Sequence, residues 1–235
     1  MRYSGLVKGV FRKRDNRFRA TVSVGGLETW AHVPNSGRLG ELFTPGRQIW
    51  LTPAGNPDRK TSYDLKLVEF ESVLASVDAR LPNPLFAEAV AEKTISGFDY
   101  ETVRPEVTRG DSRLDFRLSG SEGVRWVETK SVTLVRDGTA FFPDAPTERG
   151  RKHLEELMDI AAGGESAAVV FVVQRPDALR FSANREEDPE FAVTLQRAAE
   201  NGVSVRAFNC EVSLVEICIS HEIPVDISTA RSFHS

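Results

Sequence analysis

Cysteine, histidine, methionine and tryptophan are all scarce in this chain: two, four, two and three among 235 residues. Cys210 and Cys218 are too few for the disulfide framework of a small secreted domain. Both fall in the strand-like stretch 206–219 and read as small core hydrophobes in a reducing compartment. His32, His153, His221 and His234 contain no pair at zinc-ligand spacing. No apolar run is long enough to span a bilayer. The start, MRYSGLVKGV, places Arg2 and Lys8 around too short an apolar stretch for a signal peptide. A soluble cytoplasmic protein with no membrane partner is the expectation.

What is present is enough for a real core, since 40% of the residues are apolar. Net charge is −4, which on its face disfavours a polyanionic partner. The sum conceals an asymmetry. Residues 1–82 hold 13 Lys and Arg against 8 Asp and Glu, whereas the remainder holds 17 against 26. Such a split points to surfaces with different tasks, although a general preference for Arg would also produce it.

The two halves follow different patterns. Up to about residue 80 the chain is strand-like. FRATVSV alternates, with Phe18, Ala20, Val22 and Val24 on one face and Arg19, Thr21 and Ser23 on the other. Gly25-Gly26 then turns the chain into LETWAHV, a hairpin signal. RQIWLTPA and SYDLKLVEFESVLAS add further strands. Short strands with glycine turns predict a small five-stranded barrel of the oligonucleotide-binding (OB) kind. LPNPL (81–85) punctuates the chain, which places a boundary between domains 1–82 and 83–235. Beyond it, PLFAEAVAEKTI and DAPTERGRKHLEELMDIAAGG carry helical stripes, the second with Thr147 as its cap and Gly163-Gly164 at its end. AAVVFVVQ reads as a buried parallel strand, and DPEFAVTLQRAAENG as a third helix. The second domain is therefore expected to be α/β (α+β in the mixed sense), with a mixed central sheet.

Two strands of that sheet carry charge where a buried strand would not want it. In SRLDFRLSGSEGVRWVETKSVTL (112–134), Leu114, Phe116 and Leu118 share one face and Asp115 lies on the other. Glu128 and Lys130, two apart, also share a face. Two carboxylates and an ammonium in one cleft are costly unless compensated. A hard divalent cation, Mg²⁺ or Mn²⁺, held by Asp115, Glu128 and the carbonyl of Thr129 would do so. Lys130 could then place a water or stabilise developing negative charge. A solvated hairpin face or a structural ion pair is the ordinary reading of such an E-x-K triplet. A one-residue register slip would separate the acids.

The order of acid, hairpin turn, E-x-K strand and helix resembles the PD-(D/E)xK nuclease core. Five blocks, HVPNSGRLGEL (32–42), RLDF (113–116), VETKSVTL (127–134), FFPDAPTERGRKHLEEL (141–157) and VVFVVQRPDALRFSANREEDPEFA (169–192), closely resemble the sugar fermentation stimulation protein family over nearly the whole chain. The resemblance implies an N-terminal OB barrel, a restriction-endonuclease-like domain, and DNA, or RNA, as partner. It implies Asp115, Glu128 and Lys130 as catalytic residues of a metal-dependent phosphodiesterase, with Glu88 or Glu92 on the leading helix as an accessory acid. The alternative is a non-catalytic DNA-binding regulator on the same fold. A homodimer is a common assembly for either.

Further candidates surround these. Arg12, Arg17 and Arg19 form a basic early cluster for the phosphate backbone. The turn PNSGR could offer Asn35, Ser36 and Arg38 to a phosphate. Arg149 and His153 share a helix face, with Lys152 beside them. Gln174 ends the buried strand, where α/β sheets place ligands. Each has an ordinary reading as a turn or a solvated face. Trp30, Trp50 and Trp126 could stack bases, but core packing is the expectation for all three. A carbohydrate-binding barrel is a third option that the basic face disfavours.

Overall fold

The computed structural model describes residues 1–56, 58–110 and 112–227, and His234 lies outside them. The chain forms β1 (Val7–Asn16), β2 (Arg19–Val24), β3 (Leu27–His32), β4 (Gln48–Pro53), β5 (Tyr63–Phe70), β6 (Val73–Ser76), α1 (Pro82–Ala91), β7 (Thr102–Arg109), β8 (Ser112–Gly120), β9 (Gly123–Val132), β10 (Leu134–Arg136) and β11 (Thr139–Phe142). It continues with α2 (Glu148–Ala162), β12 (Ser166–Val173), β13 (Arg180–Ala183), α3 (Pro189–Glu200), β14 (Ser204–Val212), β15 (Ile217–Ile223) and β16 (Val225–Asp226).

The first five strands close into a barrel. Their order is β3-β2-β1-β4-β5, and a parallel pairing of β3 with β5 completes the ring. Gly25 and Gly26 both take positive φ, as a two-residue turn of the twist-matching kind requires. Phe11, Ala20, Val22, Ile49, Leu51 and Leu65 fill the interior. Phe18, expected on the inward face, is half exposed at the turn just before β2.

The second unit is a mixed six-stranded sheet, β15-β14-β12-β9-β8-β7. β12 sits inside it, parallel to both neighbours, and residues Ala167–Val173 are all buried, the burial that a continuous apolar run encodes. One face packs against α1 through Leu85, Phe86, Ala89 and Val90. The other packs against α2 and α3 through Leu154, Leu157, Phe191 and Leu195. β7 is the edge strand, which accommodates Pro105.

Two features differ from the sequence reading. LPNPL already belongs to a helix: Pro82 and Pro84 form the first turn of α1, where a missing N–H has no helical partner to lose. And β10 and β11 make a hairpin around Asp137 and Gly138, both at positive φ, inside a four-stranded sheet β10-β11-β13-β16. That Asp-Gly pair is a strong hairpin signal that the reading passed over.

The connection between the units is short and tied down. The Val77 amide donates to the Lys66 carbonyl and the Ala79 amide to that of Pro34. Asp78, almost wholly buried, accepts from Lys66 and Arg80. The Ser76 amide donates to the Gln174 carbonyl at the end of β12, 2.9 Å away. Arg175, 1% exposed, lies across the junction against Phe70 of the barrel and pairs with Asp177 on its own side. Gly37 packs so tightly on Asp144 that a Cβ there would fall 2.3 Å from Oδ2.

Thr147 caps α2 by accepting from the Gly150 amide. Asp188 has a heavier load: it caps α3 through the Phe191 amide, accepts from the Thr147 amide and pairs with Arg151. Asp188→Ala removes a cap, leaves the Thr147 amide without its acceptor and leaves the partly buried Arg151 only the exposed Glu190, so it should cost about 3 kcal/mol. Thr147→Ala, which loses one cap bond, should cost about 1 kcal/mol. Urea denaturation of the two variants checks the ranking.

Candidate functional site

The site begins where two strands part. β8 and β9 pair from Gly120↔Gly123 down to Phe116↔Val127. Beyond that, β8 continues beside β7 and β9 continues beside β12. The parting leaves the Thr129 amide without a partner on β8, and a buried N–H needs one. Asp115 supplies it: Oδ2 accepts from Thr129 N at 2.8 Å and from Thr129 Oγ1 at 3.1 Å. Its other oxygen accepts from Asn83 Nδ2 at 2.9 Å, while Asn83 Oδ1 accepts from Thr129 Oγ1.

Glu128 and Lys130 are directed toward α2. Lys130 Nζ donates to Glu128 Oε1 at 2.7 Å, and His153 Nδ1 meets the same oxygen. Lys130 Nζ is also 3.3 Å from His153 Nδ1, and Arg149 Nε lies 3.4 Å from the other ring nitrogen. Burial alone would push the Glu128 carboxyl up. The bond from His153 and the charge of Lys130 outweigh it and hold the group below the ordinary carboxylate range. Glu128 Oε2, by contrast, is buried with no hydrogen-bond partner. Asp115, Glu128, Thr129 and Lys130 line one cavity of about 430 Å³, with Arg149 and His153 on one side. Asn83 and Glu106 line it as well.

A divalent cation fits this donor set. An ionised carboxylate oxygen, buried and unpartnered, is costly, and a second carboxylate opens on the same cavity. Two carboxylates and a main-chain oxygen are the hard, oxygen-only donors that Mg²⁺ accepts while keeping several waters. No three His, Cys, Asp or Glu side chains converge into a metal cage among the described residues, so waters would complete the shell.

The other sequence candidates divide. Glu88 faces away from the cavity and pairs with the Met1 amino group at 2.8 Å, and Glu92 is exposed at the far end of α1. What α1 brings to the cavity is its first turn, with Pro82 and the polar Asn83. Lys152 is exposed beside Glu156, one helical turn on, and does not line the cavity. Asn35 is nearly buried and is used internally, donating to the Val77 carbonyl and accepting from the Gly37 amide. Arg38 pairs with Glu187 across the junction at 2.7 Å, and Ser36 is exposed. Gln174 is wholly buried behind the site, donating to Ser131 Oγ at 2.7 Å, and Ser131 lines the cavity. Arg12, Arg17 and Arg19 lie on the barrel, Arg19 over the ring of Trp30. Trp126 is buried as expected, but Trp30 is 44% exposed.

The sequence reading missed Asn83, Arg80, Glu106 and Ser131 along the cavity. Glu106 stands at φ 52°, between the paired residues Pro105↔Phe116 and Val107↔Leu114, and so opposite Asp115. The proline before it was the available signal for an irregular strand.

Barrel and cavity together define a two-part chain: an OB barrel followed by a restriction-endonuclease-like α/β domain. Among the described residues, no helix is long and apolar enough to cross a membrane. The family description "Sugar fermentation stimulation protein RE domain" matches residues 80–216, and "SfsA N-terminal OB domain" matches residues 13–77. A sugar fermentation stimulation protein homolog of Desulforamulus reducens is 45% identical over 94% of this chain and 93% of its own. That of Acetivibrio thermocellus is 44% identical over 97% and 100%. The solved SfsA of Pyrococcus furiosus in complex with Ca²⁺ superposes with a TM-score of 0.88 at 33% identity, covering 96% of this chain and 98% of that one. The chain belongs to the sugar fermentation stimulation protein family.

Because the folded Glu128 carboxyl titrates below its unfolded value, its ionised form contributes stability above about pH 4.5, and that stability is lost as pH falls through the lower folded value. Glu128→Gln should therefore flatten the acid limb of the stability curve below about pH 4.5, measured by denaturant unfolding across pH 3–7.

Proposed function

We propose that the protein binds DNA and hydrolyses its phosphodiester bonds with a divalent cation held by Asp115, Glu128 and the carbonyl of Thr129. The observation that carries this is Glu128 Oε2: buried, ionised and unpartnered, in the cavity that Asp115 and Lys130 share. The Ca²⁺ complex of the Pyrococcus furiosus relative supports a divalent ion in this family. When bound, such an ion supplies Lewis-acid polarisation of the phosphate and a more acidic water.

The chain's own groups divide the remaining work. Lys130, held against Glu128, keeps a fixed ammonium beside the reacting phosphate and stabilises charge that develops on it. Arg149 and Arg80 at the cavity wall offer guanidinium groups to neighbouring phosphates. Asn83 and the Thr129 amide hold the Asp115 carboxylate in place. His153 holds Glu128 in position. Arg12, Arg17 and Arg19 on the barrel add attraction that weakens steeply with salt.

A second reading is a DNA-binding regulator. It draws on Glu128 Oε1, which Lys130 and His153 already hold without a metal ion.

Incubation of the purified chain with single- and double-stranded DNA and RNA, in Mg²⁺ or Mn²⁺, decides between them. Cleavage should fall by roughly 10²-fold or more in Lys130→Ala, and Asp115→Asn should lose Ca²⁺ binding by calorimetry. Substrates left intact in every metal would end the enzymatic reading. DNA affinity that survives Lys130→Ala but not reversal of Arg17 and Arg19 would then leave the regulator.

A further inference from the structure

On the barrel, well apart in sequence from the acidic cavity, lies a concavity of about 680 Å³. β1 contributes Arg12 and Lys13, β3 contributes Glu28 and Trp30, and the β4–β5 connection contributes Lys60 and Ser62. Strands 2 and 3 and this connection are where OB barrels hold extended ligands.

Trp30 is the unusual member. Its large ring is 44% exposed, and Phe18 and Leu27 on the same barrel are exposed with it. It is not isolated. Arg19 lies 4.4 Å from its ring centroid, leaving one face of the indole backed by a guanidinium. His32, two residues along the same strand, shares its face. The Phe18 ring, half exposed, lies 6.4 Å from that of His32 at an interplanar angle of 29°. Trp30 and His32 thus stand about 6.6 Å apart along the backbone of one strand face, and Phe18 extends the aromatic surface beyond His32. Three cations flank the row, with Glu28 the lone acid at the concavity.

We infer that this row is a stacking platform for single-stranded nucleic acid, with bases on Trp30 and its neighbours and phosphates on Arg12, Lys13 and Lys60. The inference rests on the proposed nucleic-acid reading and specifies the ligand. In a duplex the bases stack on one another at about 3.4 Å and offer no free face to a side chain. Unpaired bases do, and stacking accepts any base. A neutral oligosaccharide could use the indole but not the three cations.

The test is fluorescence anisotropy in EDTA, so that no cleavage is required, with labelled oligothymidylate, oligouridylate and a blunt DNA duplex. Trp30→Ala should weaken binding of both single strands by roughly 5- to 150-fold and leave the duplex unchanged. Trp30→Phe should retain most of the affinity, and Lys60→Glu should weaken binding with a shallower salt dependence. Circular dichroism confirms that the variants fold, as an exposed position allows. Unchanged single-strand affinity in Trp30→Ala would overturn the inference. So would an equal loss for the duplex, or competition by a neutral maltooligosaccharide. If cleavage fails but Trp30-dependent binding holds, the platform stands and the nuclease does not. If cleavage succeeds and Trp30 is neutral, the reverse is true.

Discussion

The separation of β8 from β9 after Phe116 and Val127 is the constraint from which the candidate site follows. An antiparallel ladder that stops midway leaves an amide with no carbonyl opposite it. A buried amide of that kind costs about 1–3 kcal/mol if nothing replaces the bond. Here the replacement is a side-chain carboxylate, which draws Asp115 inward and fixes it beside the next strand. The gap is also what opens the cavity. Had the ladder continued, Asp115 and Glu128 would be an ordinary cross-strand pair of like charges, a repulsive arrangement.

Around this gap the protein tolerates an expensive group of charges. Glu128, Lys130 and His153 are nearly enclosed, and burying such groups opposes folding even when they are paired. The cost is offset by apolar packing close by. Phe171, Val169 and Val173 on one face of β12, and Val170 and Val172 on the other, are wholly buried beneath the site. Asp188 adds a second anchor by joining the starts of α2 and α3. The helix that carries Arg149 and His153 is therefore held at its first turn, close to Glu128 and Lys130.

Local patterns in the sequence revealed much of this. The Gly25-Gly26 turn, the Thr147 cap and the unbroken apolar run of β12 each depend on neighbours in sequence, and each has the conformation that its residues favour. So does the alternation that sets Asp115 apart from Leu114 and Phe116. What escaped depends on distant partners. Nothing near Asn35 in sequence indicates that its amide reaches Val77, and nothing near Glu88 indicates the Met1 amino group. Asn83 was concealed between two prolines that look like punctuation and prove to be a helix start. Trp30 has the composition of a core residue, and only the closed barrel shows that its face points outward.

The segment between barrel and α/β domain has one further implication. Residues 76–79 are bonded at nearly every step, to Gln174, Lys66, Arg80 and Pro34, and a buried arginine clamps the junction from the side. A tether held in this way has no slack to swing on. The bonding fixes the separation of the two parts at the length seen in this structure. A nucleic acid bound as proposed would meet the cavity after a set number of its own units from the barrel, as a thread meets a blade mounted at a fixed distance from its guide.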